Sequence, residues 1–509
     1  MVFSSPIFAM LFLPLVLCGT LLIRKDLTNL FLLLASLIFY AWGGSQYLPL
    51  LGGVVTMNWL AGLLMERVQT PAAKQRVMAA AVIVNVAILV FYKYTNFIID
   101  NLNGIGGTVG LAIPRQKPIL LPLGISFFTF HLLSYVIDIY RGTARAQRNP
   151  INFALYICFF PQLIAGPIIR YHDVEDQLTG RRMSYDKLAS GLERFIIGMG
   201  KKVLLANPFG QVADQIFALS GTELSPSVAW FGLLAYALQL YFDFSGYSDM
   251  AIGLGRMFGF DYLENFNYPF ISKSISEFWR RWHISLSNWF RDYLYMPLVL
   301  GAARRGALRA AARNAGRKRQ KFDDRPYLAF VFLVCGIWHG ASWTFVIWGA
   351  IHGVFLALER GRFGKLILKL PTPAQHLYVL AVIMLAWVFF RAPTLPAAAT
   401  FLYAMAGHSG DGAIAWPLAS FIDRQILLLL PLALIALTPA LSFMTRDWRA
   451  RAQQSFGQLG AAAMLQTAGT TRFDQAMFLV RPPILLAILA LSGTYIAGQT
   501  YNPFLYFRF

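Results

Sequence analysis

Apolar runs close to membrane-spanning length alternate with short polar connections along the whole chain. Long apolar segments lie at Ile7–Leu22, Leu30–Trp42, Met78–Tyr92, Ile119–Ile139, Val228–Tyr241, Leu328–Trp348, Tyr378–Phe390, Ile426–Phe443 and Ile484–Ile496. A spanning helix needs about 20 mostly apolar residues, so these runs read as spans or as helices buried among spans. Leu48–Leu64, Phe153–Ile169 and Phe195–Leu205 carry Gly, Pro or polar interruptions. In the second of these, Pro161-Gln162-Leu163-Ile164-Ala165-Gly166-Pro167 predicts a broken or re-entrant segment, whose freed backbone groups need partners from protein or water. The pattern predicts an all-α polytopic integral membrane protein with about eleven transmembrane helices plus re-entrant and interfacial helices. No fixed-period repeat or composition shift divides residues 1–509, so one transmembrane domain is expected.

Composition agrees with the hydropathy pattern. Hydrophobic residues make up 57% and charged residues 13%, too little polar surface to coat a soluble body of this length. The first basic residues, Arg24 and Lys25, follow the first apolar run, the reverse of a secretory signal, so that span is expected to be retained. Three cysteines, all in apolar runs, argue against a disulfide framework, and Cys18 is read as a core residue. The net charge of +20 gathers in short loops, above all in residues 302–325. The positive-inside rule places that loop and Arg24-Lys25 in the cytoplasm and the N-terminus on the opposite face. Anionic lipid headgroups are the expected partner of this charge, rather than nucleic acid; it would also attract an acidic acyl carrier or the phosphates of coenzyme A.

Candidate chemistry is sparse. There is no Gly-x-Ser-x-Gly elbow, phosphate-cradling glycine loop, Cys-x-x-Cys or His-Glu-x-x-His. Two stretches stand out because they put imidazoles in apolar surroundings: Glu277-Phe278-Trp279-Arg280-Arg281-Trp282-His283, continuing to Ser287, and Gly336-Ile337-Trp338-His339-Gly340. A charged side chain at mid-bilayer costs about 2.5–3.5 kcal/mol on the insertion scale, so ionisable residues there need partners or a task.

Taken as one helix, the first stretch pairs Glu277 with Arg281 at i,i+4 and aligns Arg280, His283, Ser287 and Arg291 in a polar stripe. Trp279, Trp282 and Trp289 suit an interfacial depth. An anchoring helix with snorkelling arginines explains the arginines as well as catalysis does; His283 is assigned to function. His339 follows an uncharged run from Leu328 to Trp338. A lone histidine on an apolar helix is commonly a satisfied core residue. Yet burial disfavours the charged imidazole, and the neutral form is what a general base needs. Positioned proton transfer of this kind contributes roughly 10²–10⁴-fold.

Other polar positions divide similarly. Asp243, Ser245, Ser248 and Asp249 follow an apolar run in a segment too polar for lipid, and are expected to line a cavity or cap a helix break. For Asp243, buttressing and acceptor binding are both open. His131 and Asp138 lie two helical turns apart, with Asp138 read as an interfacial ion-pair partner beside Arg141. His352 either orients His339 or packs. A metal site of His283, His339 and His352 is not expected, since the spacing is not that of a helix-face pair and no carboxylate accompanies His339. His172, His376 and His408 are given no role.

At this point the residues carry a resemblance. Leu33-Leu34-Ala35-Ser36-Leu37-Ile38-Phe39-Tyr40-Ala41-Trp42, Leu121-Pro122-Leu123-Gly124-Ile125-Ser126-Phe127, Tyr241-Phe242-Asp243-Phe244-Ser245-Gly246-Tyr247-Ser248-Asp249, the Arg-Arg-Trp-His stretch, Trp338-His339-Gly340 and Pro503-Phe504-Leu505-Tyr506-Phe507 occur in the order found in membrane-bound O-acyltransferases. The chain most resembles their bacterial alginate O-acetylation branch. The resemblance implies His339 as the principal catalytic residue and His283 as a second. It implies candidate tunnel residues Asp243, Ser245, Arg280, Ser287, Asn288, Trp338 and His352. It further implies a cytoplasmic acetyl-coenzyme A or other acyl thioester donor with no tightly bound cofactor, an exopolysaccharide acceptor, periplasmic acetyltransferase partners of the serine-hydrolase type, and the bacterial inner membrane. One departure is Gly301-Ala302-Ala303-Arg304-Arg305 and its basic extension, where alginate-type relatives often have a short Gly-Asn-Arg-Gly turn; it weakens alginate in particular and leaves the reaction class intact. Other acceptors such as cellulose or a teichoic acid-like polymer, a proton-coupled transporter and a synthase scaffold are the alternatives, though no matched pair of broken helices supports the transporter.

Overall fold

A computed structural model describes residues 2–107, 113, 117–312, 322–408, 416–440, 472–498, 501 and 503. Among these every regular element is helical. Four helical stretches, Lys25–Arg67, Pro71–Gly106, Thr372–Arg391 and Val480–Gly498, are long and apolar enough to cross a membrane. Shorter apolar helices at Ile7–Leu22, Arg325–His339, Trp343–Glu359, Leu395–Met405 and Arg424–Ala436 accompany them. The middle of the basic loop, residues 441–471 and most of the closing motif lie outside the described residues.

Three expected elements take a different form. The apolar run Leu328–Trp348 is a hairpin of two helices, Arg325–His339 and Trp343–Glu359, rather than one span. The turn follows local chemistry: Gly340 is extended, and the Ser342 hydroxyl caps the second helix by accepting from the Thr344 N–H at 3.1 Å. The two helices approach backbone to backbone at Gly336 and Gly349, where any Cβ would overlap main-chain atoms of the other helix. Fifteen residues rise about 22 Å, less than the roughly 30 Å of a bilayer core, so Arg325–His339 alone is shorter than a full span.

The second difference concerns Pro226–Met257, which runs unbroken through Asp243, Ser245, Ser248 and Asp249. Its polar residues face protein. Asp243 and Lys202, both fully buried, pair at 2.7 Å. Asp249 pairs with Arg194 at 2.8 Å and Lys201 at 2.7 Å. Close packing of Tyr185–Gly200 on this helix, with Gly198 against Gly246, brings these charges together.

The third is the expected helix from Glu277 to Arg291. It breaks into Ile275–Arg281 and Ile284–Phe290, with His283 between them in the left-handed region at φ 45°. The break dissolves the predicted polar stripe: Arg280 is exposed while His283 is buried. The Glu277–Arg281 pair forms at 2.9 Å. Trp279, Trp282 and Trp289 are each 6% exposed and pack inside the protein instead of lying on its surface. Cys18, expected in the core, is exposed on the outer face of its helix.

The broken segment at Pro161–Pro167 is borne out. Pro150–Cys158 and Phe160–Leu163 are short helices, and residues 164–170 run irregularly through the interior. Side chains satisfy its backbone: Ser36 Oγ accepts from Phe160 N–H at 3.2 Å, Ser285 Oγ from Ile168 at 2.9 Å, and His131 Nε2 from Ile169 at 3.3 Å. This accounts for the burial of His131.

Candidate active site

The hairpin tip, the broken Ile275–Phe290 region and the Pro71–Gly106 helix converge on His339. Its ring packs edge-on against Trp338, Trp348 and Phe390 at centroid distances of 4.8, 4.9 and 5.3 Å. His283, Lys93 and His352 lie within electrostatic reach of it. His339 keeps 5% of its surface accessible, against 1% for His283 and 0% for His352, so it is the least buried of the three histidines. Its ring has no hydrogen-bond partner among the described residues.

Lys93 holds this histidine in place through the backbone. The ammonium group donates to the Trp338 carbonyl, to the His339 carbonyl at 3.2 Å and to Ser126 Oγ at 3.3 Å. Tyr94 donates to the Ile337 carbonyl at 2.6 Å. These are the orphan carbonyls of a helix C-terminus, where a cation is favourable and extra donors are needed. Lys93 is 9% exposed and has no carboxylate partner among the described residues, so the helix end is its counter-charge.

His283 is oriented from its Nδ1 side. Asn265 Oδ1 accepts from the Ser285 N–H at 3.2 Å and the Ser285 hydroxyl at 2.9 Å, and lies 3.2 Å from His283 Nδ1. A backbone N–H can only donate, which fixes the facing amide atom as oxygen and therefore puts a proton on His283 Nδ1. In the neutral ring Nε2 then carries the lone pair; it is buried and has no partner among the described residues. Phe244 packs edge-on to the ring at 4.6 Å, and the Asn265 carbonyl accepts from Ile284 N–H at 3.0 Å.

The same reasoning gives His352 the opposite tautomer. Trp279 Nε1–H donates to His352 Nδ1 at 3.3 Å, so the proton of His352 is on Nε2. That N–H, like the indole N–H groups of Trp338 and Trp348, is buried without an acceptor among the described residues. Each such donor costs about 1–3 kcal/mol while unsatisfied, which is unusual in a folded interior.

Of the other expected tunnel residues, Trp338 is in the site, stacked on Phe130 at 4.9 Å. Ser287 and Asn288 follow His283 on the same short helix and are half-buried, with Ser287 Oγ unpartnered. Asp243 is taken up by the Lys202 pair, Ser245 is buried without a hydroxyl partner, and Arg280 lies on the exposed face. Among the described residues no group of three metal-ligating side chains occurs. Asp138 is not the interfacial partner of Arg141: it is buried, accepting from Tyr293 at 2.7 Å and pairing with His172 at 2.8 Å.

Sequence reading missed Lys93, which follows an apolar run and so looks like a snorkelling end. It also missed Asn265, in an irregular Glu264-Asn265-Phe266-Asn267-Tyr268 stretch that signals only a loop.

Residues 141–313 match the sequence profile of the membrane-bound O-acyltransferase family. The chain is 41% identical to the probable alginate O-acetylase of Azotobacter vinelandii and 41% identical to that of Pseudomonas putida, in both cases over the full length of both chains. It is 36% identical to the peptidoglycan O-acetyltransferase of Helicobacter pylori over 81% of this chain and 80% of the relative.

Proposed function

Because the chain belongs to the membrane-bound O-acyltransferase family, we propose that it moves an acetyl or similarly short acyl group from a cytoplasmic thioester, such as acetyl-coenzyme A, towards the hydroxyl groups of an extracellular polysaccharide such as alginate. The observation that carries the reading is His339: an imidazole whose ring has no hydrogen bond among the described residues, the least buried of the three clustered histidines, at the tip of a capped helix. In the reaction the hydroxyl oxygen attacks the thioester carbonyl carbon while His339 takes the hydroxyl proton. Collapse of the tetrahedral species breaks the C–S bond, and His339 returns the proton to the departing thiolate. His283 presents its Nε2 lone pair to a second, non-reacting O–H of the acceptor and so orients it.

The chain in this reading crosses the bacterial inner membrane about eleven times. The basic 302–325 loop faces the cytoplasm and the N-terminus faces the periplasm, as the distribution of lysine and arginine supports. Acidic lipid headgroups border the loop, and periplasmic acetyltransferases of the serine-hydrolase type complete transfer to the polymer. Expression in an alginate-producing strain lacking its own O-acetylase tests the reading: the chain restores O-acetyl groups on the secreted polymer, and His339→Ala, inserted at normal levels, does not. Normal acetylation by that variant would falsify the assignment.

A further inference from the structure

Three buried N–H donors without acceptors among the described residues lie around His339, and a neutral oxygen-rich reactant is what such donors lack. Trp338 contributes one, but its ring belongs to a stack with Phe130, which in turn stacks on Trp289 at 4.0 Å. The other two belong together. Trp348 and His352 pack edge-on at 4.9 Å, and Trp348 makes the same kind of contact with His339 at 4.9 Å. Both come from the second helix of the hairpin, Trp343–Glu359, whose backbone is locked to the His339 helix at Gly336 and Gly349. Trp279 takes up the acceptor nitrogen of His352, which leaves its Nε2–H as a fixed donor that none of the described residues uses.

We propose that His352 Nε2–H and Trp348 Nε1–H receive the carbonyl oxygen of the acyl donor and stabilise the oxyanion formed on it beside His339. The inference rests on the acyl-transfer reading above. As the C–O bond to the acceptor hydroxyl forms, the carbonyl π pair moves onto oxygen and the hydroxyl proton passes to His339. The two N–H groups meet that developing charge in a site from which water is largely excluded, where preorganised donors are most effective. When the pair returns to re-form the carbonyl, the C–S bond breaks and the thiolate leaves with the proton from His339. His352 thereby acts as a donor in a fixed tautomer, distinct from the base.

Purified full-length protein in nanodiscs, assayed with radiolabelled acetyl-coenzyme A for thioester cleavage and acetyl transfer, tests this. His352→Asn keeps a polar atom for Trp279 but has nothing at the Nε2 position. It is expected to lower kcat by roughly 10²–10³-fold with little change in KM. His352→Gln, whose amide nitrogen reaches the Nε2 position, retains more activity than the Asn variant. Trp348→Phe keeps a six-membered aromatic ring and removes the N–H together with the five-membered ring that carries it; it is expected to lose at least about tenfold in kcat, and it decides the matter if the His352 variants do not elute as folded protein. Wild-type kcat in His352→Asn or in Trp348→Phe overturns the proposal. So does a loss confined to KM. A wild-type protein inactive on acetyl-coenzyme A and other thioesters overturns the acyl-transfer reading itself, whereas an active wild type with unaffected variants overturns the oxyanion assignment alone.

Discussion

Asn265 and His283 stand 18 residues apart in sequence and 3.2 Å apart in space, with the amide oxygen of one facing Nδ1 of the other. The contact determines both the tautomer of the imidazole and the conformation of its backbone, because the same oxygen also holds the N–H of Ser285. His283 is one of two non-glycine residues with positive φ among the described residues, a conformation that persists where the surroundings over-determine it. Asn265→Ala removes the acceptor and leaves Ser285 N–H and His283 Nδ1 without it. The expected loss in kcat is on the order of 10²-fold, the usual effect of a misplacement near 1 Å. Asn265→Asp keeps an acceptor and should recover part of it. Steady-state kinetics on the two variants decide the point, and equal activity of Ala and wild type would remove Asn265 from the mechanism.

Lys93 gives a second prediction. Lys93→Met preserves length and apolar volume but deletes the donors to the Trp338 and His339 carbonyls. Stability should fall by about 1–3 kcal/mol as those carbonyls lose their partner in a site with little water. Activity should fall further than the melting temperature alone explains, because the end of the helix that carries His339 is no longer tethered. A thermal melt in detergent combined with kcat measured well below the melting temperature separates the two effects; a normal melt with normal kcat would show the tether to be dispensable.

How far these features were legible in the sequence follows from the range of the interactions that make them. The helical membrane class and the broken Pro161–Pro167 segment are local: apolar runs and helix breakers announce them. His339 and His283 also stood out, since each is an ionisable group in an apolar neighbourhood. The hairpin turn at Gly340-Ala341-Ser342 was written in its glycine and its serine cap, but the continuous apolar run around it reads equally well as one span. The break at His283 was not local at all. Residues 277 to 291 have acceptable helix spacing throughout, and what interrupts them is the Asn265 loop, just as what fixes His339 is a lysine 246 residues away. The tautomers of His283 and His352 depend likewise on partners supplied by other elements.

His172, on the short Tyr171–Val174 helix, predicts a pH dependence through its bond to Asp138. The hydrogen bond from His172 Nδ1 to Asp138, 2.8 Å long, raises the pKa of the imidazole; partial burial opposes this, and Asp173 adds to the rise while Arg170 reduces it. A group whose folded pKa lies above its unfolded value of about 6.5 contributes stability that is complete below that value. The contribution is lost as pH rises through the elevated folded pKa. Melting temperature should therefore decline on going from about pH 6 into the alkaline range, and His172→Gln should flatten that slope. A His172→Gln protein with the same pH profile as the wild type would assign the slope to another group.

The last prediction uses two glycines that differ in surroundings. At Gly349 a methyl group would lie 2.5 Å from the Phe332 carbonyl oxygen and 2.9 Å from the Gly336 Cα, both main-chain atoms that cannot swing aside. At Gly52, on the helix Leu48–Arg67, a methyl would meet nothing within 4 Å. Alanine favours helix over glycine by roughly 0.5–1 kcal/mol at either position, so propensity alone predicts that both substitutions stabilise. Packing reverses the sign at Gly349: forcing the hairpin helices apart should cost about 1–3 kcal/mol, more than propensity returns. It should also shift His339 relative to Trp348 and His352, because those residues lie on the two helices being separated. Gly349→Ala is therefore expected to melt lower and to lose kcat, while Gly52→Ala melts at or above the wild-type temperature with unchanged kcat. Parallel melts and acetyl-transfer assays check the pair, and a Gly349→Ala protein as stable and active as the Gly52 variant would mean that the hairpin does not set the geometry of the site.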